Sequence, residues 1–227
     1  MLSALLPSCA YLPRATQVPV ATSEKGVAES QELVVFLPGR WSTLREFEKE
    51  GFFEIAAEKW PSARLVAADL HLGYYKEQVM AKRLHEDIIL PAKRSGVTKV
   101  RLVGISMGGM GAVVYALEHP GMVDEMILLS PFLGEDVVIQ EIQAAGGLEK
   151  WKPGEIEPED FSRKLWSGLE TGWRGERPAI FLGCGTEDRL ASASRLYAKE
   201  FLTKDQQLWI SGGHDWEAWR ELFRRAK

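Results

Sequence analysis

A short run of small residues, at the junction of two different patterns, constrains the fold of this chain most. Residues 99–103 are rich in branched aliphatic side chains, which predicts a buried strand, whereas residues 107–118 carry apolar side chains at helical spacing. Between them, Gly104-Ile105-Ser106-Met107-Gly108 places a serine on a tight strand-to-helix turn. Glycines suit such a turn because a Cβ at either glycine position would crowd the neighbouring backbone.

Strand and helix patterns alternate along most of the chain. Short apolar runs predict strands at 32–37, 64–68, 125–129, 178–184 and 206–210, with an edge strand near 17–22. Helical spacing predicts helices at 42–59, 76–95, 191–202 and 215–225. Because parallel neighbours need crossover connections, this alternation predicts an α/β protein with a mostly parallel sheet and helices on both faces.

One interruption of this alternation bears on the domain organisation. Residues 132–177 contain one short helix pattern near 135–145 and then a stretch rich in Trp, Gly and Pro. We interpret them as a small cap or insertion. A chain of 227 residues, of which 45% are hydrophobic, is of a size for one domain with a sizeable core. We therefore expect a single domain at 31–227, preceded by a tail at 1–30.

Charge and cysteine content argue against several kinds of partner. The formal charge is -4, and acidic and basic residues are interspersed, so the sequence has no basic stripe that would follow a phosphate backbone. The two cysteines, Cys9 and Cys184, do not indicate a disulfide or a thiolate metal site. The sequence also has no apolar run of about 18 residues. We expect no nucleic-acid partner, no metal and no transmembrane segment, and the sequence leaves the oligomeric state open.

The amino terminus has two interpretations. The apolar residues at its start end in Leu6-Pro7-Ser8-Cys9-Ala10, which resembles the lipidation cleavage box of bacterial lipoproteins. A basic n-region is missing, and the segment is shorter than the usual secretory signal of about 15 to 30 residues. One interpretation is the apolar tail of a cytoplasmic protein. The other is the remnant of a lipoprotein signal, with lipid anchoring or export through Cys9.

The serine turn, in its strand-turn-helix context, resembles a known motif. Gly104-x-Ser106-x-Gly108 is similar to the nucleophile elbow of the α/β-hydrolase family. The resemblance covers about residues 32–225 and implies a three-layer α/β-hydrolase fold, a serine esterase or lipase-like activity and Ser106 as the nucleophile. It implies no metal or organic cofactor, and the glycines lack the Lys-Ser/Thr ending of a phosphate-binding loop.

A serine nucleophile needs a general base, and the base needs an acid that orients it. In the family these follow in the order serine, acid, histidine, and reactive groups gather at the carboxyl ends of parallel strands. Asp188 and His214 meet both conditions, because each follows a predicted strand and their separation of 26 residues (214 minus 188) accommodates one helix and one strand. Glu187 and Asp124 stay open as rivals for the acid, although Asp124 precedes its strand.

Two backbone N–H donors are expected to stabilise the oxyanion of such a reaction. Met107, directly after the nucleophile, is the first. The second is expected in the loop after the strand at 32–37, where many relatives have His-Gly followed by the donor residue. This chain has Pro38-Gly39-Arg40, so the glycine matches and the histidine does not. We predict Arg40 as the second donor, with Trp41 as the alternative.

Aromatic residues beside these positions favour an apolar substrate. Trp41 and Trp216 adjoin the predicted oxyanion loop and His214, and His71 follows a strand from which it would line the cleft. Together with the Trp-bearing insertion, they favour an ester with an apolar acyl or aryl portion.

The function that we predict is hydrolysis of small-molecule carboxylic esters through an acyl-enzyme. The same triad also serves acyl transfer and the cleavage of thioesters or amides, so these activities stay open. A non-catalytic binding module on the same fold is a further alternative.

Overall fold

The computed structural model of the protein describes residues 14–173 and 177–226. Cys9 lies outside these described residues, so both interpretations of the amino terminus stay predictions. One seven-stranded sheet is formed by β1 (Thr22–Gly26), β2 (Glu32–Leu37), β3 (Arg64–Ala68), β4 (Lys99–Ile105), β5 (Glu125–Leu129), β6 (Ala179–Gly185) and β7 (Gln207–Ile210). Their order across the sheet is β1-β3-β2-β4-β5-β6-β7.

Neighbouring strands are parallel, except that β1 is antiparallel to β3. The register aligns Leu37 of β2 with Gly104 of β4, and Ile105 of β4 with Leu129 of β5. Leu129 in turn aligns with Gly183 of β6. The carboxyl ends of these four strands therefore meet at one edge of the sheet, where loops from distant parts of the chain converge. The predicted mostly parallel sheet is confirmed.

The central strands are apolar at nearly every position because both faces of the sheet are covered. In β2, Leu33, Val35 and Leu37 belong to the core on one face. Val34 and Phe36 belong to the core on the other face. A strand that is buried on both sides needs apolar residues throughout, which explains the continuous apolar runs in the sequence.

Helices cover both faces of this sheet. In chain order they are α1 (Leu44–Lys49), α2 (Phe52–Lys59), α3 (Leu72–Lys76), α4 (Met80–Leu84), α5 (Leu90–Arg94), α6 (Met107–Glu118), α7 (Asp136–Ala144), α8 (Phe161–Gly172), α9 (Ala191–Phe201) and α10 (Trp216–Arg225). α1, α2 and α10 pack over an aromatic-rich core on one face, and α4 to α9 pack on the other. The three layers agree with the prediction. Within the described ranges, no helix is long and apolar enough to cross a membrane.

Two of the predicted helices are interrupted. The helix predicted at 42–59 is divided into α1 and α2 at Gly51, whose φ of +76° is left-handed. In place of the helix predicted at 76–95, α3 ends at Lys76 and a helical run begins at Met80, in which the π-helical turn His85–Ile89 joins α4 to α5. This widened turn lies directly before the turn that contains Pro91, whose nitrogen has no hydrogen to donate.

The segment between β5 and β6 corresponds to the predicted insertion at 132–177. Its helix α7 packs on α9, its helix α8 packs on α6, and a 3₁₀ turn (Leu148–Lys150) lies between them. Its tryptophans, Trp151, Trp166 and Trp173, are buried in the core on this face of the sheet. They therefore hold the segment against the helical layer, and its role as a cap over a substrate stays a prediction.

Candidate active site

Ser106 lies on a strained turn between β4 and α6. Its φ of 53° and ψ of -116° place it in a region that L-residues rarely adopt. A Cβ on Gly104 would lie 2.4 Å from the Gly108 carbonyl oxygen, and a Cβ on Gly108 would lie 2.0 Å from the Leu37 carbonyl oxygen. The turn therefore needs glycine at both positions, and it presents the serine at the carboxyl edge of the sheet.

The chain that follows β5 braces this turn. The Ser106 N–H donates to the Leu129 carbonyl oxygen at 2.9 Å, and the Ser106 carbonyl oxygen accepts from the Phe132 N–H at 2.9 Å. Ser130, between these two partners, is fully buried and has a φ of 45°. This segment is absent from the predicted site, although a Ser-Pro pair directly after an apolar run is a signal for a sharp change of direction.

Loops after β6 and β7 bring Asp188 and His214 to Ser106. The His214 Nε2 lies 2.9 Å from the Ser106 Oγ. The His214 Nδ1 lies 2.9 Å and 3.0 Å from the two carboxylate oxygens of Asp188. Because an ionised carboxylate only accepts hydrogen bonds, Nδ1 carries the ring proton, which leaves Nε2 to accept the hydroxyl proton. The three side chains thus form one directional chain of hydrogen bonds.

The Asp188 carboxylate is kept ionised although its side chain is wholly buried. One carboxylate oxygen, Oδ1, also accepts the Leu190 N–H at 2.8 Å. Burial by itself raises the pKa of Asp188, but the hydrogen bonds from His214 and Leu190 outweigh burial and hold the pKa below its ordinary value. An ionised aspartate can fix the orientation of the His214 ring.

The two rival acids have other partners. The Glu187 carboxylate accepts the Gly212 backbone N–H, so it supports the loop that carries the histidine. Asp124 precedes β5 and accepts the Val100 N–H at 2.8 Å, at the opposite edge of the sheet. The carboxylate that reaches the imidazole is that of Asp188.

His71, predicted to contact the substrate, is the N-cap of α3. Its Nδ1 accepts the Gly73 N–H at 3.1 Å, and its ring centroid lies 4.8 Å from that of Tyr74. Burial lowers the pKa of His71, and the neighbouring charge of Arg14 adds to this effect. These contacts are structural, and a contact between His71 and the substrate stays a prediction.

Two tryptophans of α10 differ in what they contact. Trp216, predicted to line the substrate site, packs edge to face on Phe47 and Phe52, with ring centroids 5.8 Å and 5.5 Å apart. Trp216 thus contributes to the core, and its contact with the substrate stays a prediction. Trp219, absent from the predicted site, packs edge to face on His214 at 4.9 Å. The sequence offered one signal for Trp219: it follows Trp216 by three residues, and residues three apart on a helix lie on the same side.

The loop after β2 lies against the nucleophile. A Cβ on Gly39 would lie 3.5 Å from the Ser106 Cβ. Arg40 follows directly, and its guanidinium stacks over the exposed ring of Trp41, 4.5 Å from the centroid. The Met107 N–H belongs to the first turn of α6, where backbone donors have no acceptor within their own helix. The role of the Met107 and Arg40 N–H groups as an oxyanion hole stays a prediction.

This arrangement is suited to nucleophilic chemistry. The geometry allows the Ser106 proton to move to His214 Nε2, and a carboxylate at the position of Asp188 can stabilise an imidazolium. Among residues 14–173 and 177–226, no group of three or more His, Cys, Asp or Glu side chains is placed to hold a metal ion.

Comparison with known proteins identifies the family. The Esterase family model matches residues 89–227, more than half of the 227 residues, and this region contains Ser106, Asp188 and His214. No curated protein sequence matches the chain.

Several solved structures are similar to the whole described fold. Est1E from Butyrivibrio proteoclasticus has a TM-score of 0.62 at 16% identity, over 90% of this chain and 90% of its own. A ferulic acid esterase has a TM-score of 0.60 at 15% identity, over 91% of this chain and 95% of its own. S-formylglutathione hydrolase (FrmB) from Staphylococcus aureus has a TM-score of 0.59 at 17% identity, over 88% of this chain and 81% of its own.

At these identities the likeness to solved structures establishes the fold, and it confirms the predicted α/β-hydrolase architecture. The family match establishes the class of enzyme. The chain is a carboxylesterase-like hydrolase of the α/β-hydrolase fold and belongs to the Esterase family.

Proposed function

We propose that this esterase cleaves small-molecule carboxylic esters through an acyl-enzyme on Ser106, with His214 as general base and Asp188 as the orienting acid. The observation that supports the proposal most is the continuous hydrogen-bond chain through the three side chains, with 2.9 Å between His214 Nε2 and Ser106 Oγ. This distance is within reach for direct proton transfer from a nucleophile to its base.

In the acylation step, the Ser106 Oγ attacks the ester carbonyl carbon while His214 Nε2 takes the hydroxyl proton. The carbonyl oxygen becomes an oxyanion, for which the Met107 and Arg40 backbone N–H groups are the proposed donors. Removing one such donor typically costs on the order of 10²- to 10³-fold in rate. The tetrahedral intermediate then collapses, the bond to the alcohol breaks, and the imidazolium returns its proton to the leaving alkoxide.

In the deacylation step, water takes the place of the alcohol. His214 removes a proton from the water, which attacks the acyl carbonyl and forms a second oxyanion. When this intermediate collapses, the Ser106 oxygen leaves and recovers its proton from His214. The carboxylic acid is released, and the enzyme returns to its starting protonation state.

We propose an apolar acyl or aryl portion for the substrate. Phe132, whose N–H binds the Ser106 carbonyl oxygen, has its ring 5.6 Å from that of Phe161. Phe161 is 39% exposed, and Trp41, in the loop after β2 that approaches Ser106 at Gly39, is 49% exposed. These aromatic surfaces, rather than the buried tryptophans of the 132–177 segment, support an apolar substrate. One of the similar structures is Est1E from Butyrivibrio proteoclasticus with ferulic acid bound.

Turnover of p-nitrophenyl esters tests the proposed nucleophile. Ser106→Ala should lower kcat by about 10⁶-fold, as expected for loss of the nucleophile from a triad. Ser95→Ala, which changes a serine before β4 at the opposite edge of the sheet, should keep the wild-type rate. A folded Ser106→Ala protein with wild-type turnover would contradict the proposal, and a folded wild type that cleaves no ester in a broad panel would favour the binding module.

An acyl series tests the substrate class separately. Acetyl, butyryl, octanoyl and cinnamoyl esters of the same alcohol should rise in kcat/KM as the apolar portion grows. Fastest turnover of the acetyl ester would contradict the apolar substrate and leave the triad unaffected. A butyryl thioester cleaved faster than the butyryl oxygen ester would reassign the enzyme to thioester cleavage.

A further inference from the structure

We infer that Trp219 is a positioning residue, whose indole ring holds the imidazole of His214 in the orientation that reaches both Ser106 and Asp188. The inference rests on the proposed role of His214 as general base. The indole and imidazole centroids are 4.9 Å apart, and the ring planes are perpendicular at 90°. This is the edge-to-face geometry in which aromatic rings attract each other.

The hydrogen bonds of His214 leave one movement of its ring weakly restrained. They hold the ring at two points, with Nδ1 bound to Asp188 and Nε2 bound to Ser106. Rotation about the line that joins these two nitrogens is the movement that they oppose least. The backbone is anchored at Gly212, which bonds to Glu187 through its N–H and its carbonyl oxygen, whereas Gly213, directly before the histidine, leaves the chain wide conformational freedom. A ring packed perpendicular to the imidazole opposes this rotation.

Trp219 is itself held in place by the helix and the core. It is only 6% exposed, and its ring packs edge to face on that of Trp216 at 5.2 Å. The helix that carries both is N-capped by Asp215, whose carboxylate accepts the Ala218 N–H at 2.9 Å. Trp219 therefore connects the histidine of a glycine-rich loop to a capped helix.

The indole nitrogen argues against a purely stabilising role for Trp219. Its Nε1–H is buried and has no hydrogen-bond partner within the part of the chain that the structure describes. A buried indole N–H ordinarily finds an acceptor, and leaving it without one costs stability. Phenylalanine would fill much of the same space without that cost. Packing alone therefore does not explain why this residue is tryptophan rather than phenylalanine. The contact between its larger ring and the imidazole of His214 does.

Steady-state kinetics on p-nitrophenyl butyrate tests the inference with four proteins: wild type, Trp219→Leu, Trp219→Phe and Phe223→Leu. Trp219→Leu should lower kcat about tenfold and leave KM within about twofold, because acyl transfer depends on the position of the imidazole and ester binding does not. Trp219→Phe, which keeps an aromatic ring but one with a shorter reach towards His214, should recover kcat only in part.

Phe223→Leu is the matched control. Phe223 lies one helical turn further along α10, is fully buried and stacks on Phe52 at 5.1 Å in the same aromatic core. Its replacement should lower Tm without changing kcat in the folded protein. Equal losses of kcat in Phe223→Leu and Trp219→Leu would overturn the inference, because loss of aromatic packing would then explain both.

Wild-type kcat in folded Trp219→Leu would also overturn it. If Trp219→Leu does not fold, Trp219→Met, which fills the space without a ring, serves for the same comparison with Phe223→Leu. Failure of the proposed function is measured separately: Ser106→Ala would then keep its ester turnover, although Trp219 is unchanged in that variant.

Discussion

The two ends of strand β4 carry opposite kinds of polar structure. Near its amino end, Arg101 binds Glu32 at 2.9 Å and also forms an ion pair with Glu125. The guanidinium of Arg101 lies 4.9 Å from the ring centroid of Trp60. Beyond its carboxyl end, Ser106 closes a hydrogen-bond chain that starts from a buried carboxylate.

The difference between these ends is whether the network is closed. Arg101 is satisfied by two carboxylates and an aromatic ring, so its interactions stabilise the sheet. At the other end, each group in the chain aligns the next, and the last one is a hydroxyl on a strained turn, close to a loop with exposed side chains. A network in which every charged group has a partner supports the fold. A hydrogen-bond chain that ends in a serine hydroxyl leaves that hydroxyl available to react. Substitutions at the two ends should therefore separate stability from activity.

Among the substitutions that test this comparison, the largest effect is expected at the carboxyl end, for Asp188→Asn. An amide presents an N–H₂ group to the imidazole, which favours the tautomer that cannot accept the Ser106 proton, so kcat should fall by about 10⁴-fold with little change in Tm. Glu187→Gln, the adjacent carboxylate, should change kcat far less because Glu187 bonds to the loop backbone. Ester turnover and thermal unfolding of both variants provide the measurement, and full activity in Asp188→Asn would move the acid elsewhere.

At the amino end, Arg101→Met is expected to lower stability and to leave activity almost unchanged. Removing the guanidinium leaves Glu32 and Glu125 without their shared cation, and both side chains are 34% exposed, so the cost is smaller than for a fully buried pair. The free energy of unfolding should fall by about 2 kcal/mol, while kcat of the folded enzyme stays near wild type. Urea unfolding and ester turnover measure the two quantities. A large loss of kcat at unchanged stability would contradict the expectation that Arg101 supports the fold and not the activity.

The smallest effect is expected from a pair of histidines away from the site. The rings of His85 and His119 stack at 4.1 Å, and burial lowers the pKa of both; the charge of His119 adds to this for His85. The unfolded chain takes up these protons at a higher pH than the folded protein does. Their contribution to stability is therefore complete above about pH 6.5 and is lost as the pH falls below it, towards the lowered values.

The variant His119→Gln measures this contribution. It removes one titrating ring and the repulsion between the two, so its free energy of unfolding should decrease less between pH 7.5 and pH 5.5 than that of wild type. Urea unfolding at several pH values compares them. Parallel pH dependences in the two proteins would show that the stacked pair does not couple protonation to folding.

The sequence was sufficient for the six parallel strands and for the order of their loops, whereas the edge strand predicted near 17–22 lies at Thr22–Gly26. Strands buried on both faces appear as continuous apolar runs, and the elbow glycines mark where β4 ends. Asp188 and His214 were found because each follows such a run, in the order that the resemblance requires. Their proximity was predictable from two conditions together, the position of each residue after a strand and the order of the triad in the family that the elbow resembles.

Which aromatic side chains pack in the core and which contact the site was not predictable. Trp216 and Trp219 are both aromatic residues near the histidine, and only the packing of α10 on the sheet separates a core residue from one that touches His214. The tryptophans of the 132–177 segment indicated an apolar pocket, yet they are buried because that segment packs on α6 and α9. Composition does not distinguish a ring in the core from a ring at a site.

The most direct test of the account is covalent labelling with a fluorophosphonate, followed by peptide mapping. Trypsin should cleave after Arg101 and Lys150 and release one peptide, residues 102–150, that contains both Ser106 and Ser130. Fragment ions within this peptide distinguish the two serines. The account predicts one adduct on Ser106, lost in Ser106→Ala and strongly slowed in Asp188→Asn. A folded wild-type protein without an adduct, or with one on a different residue, would contradict it.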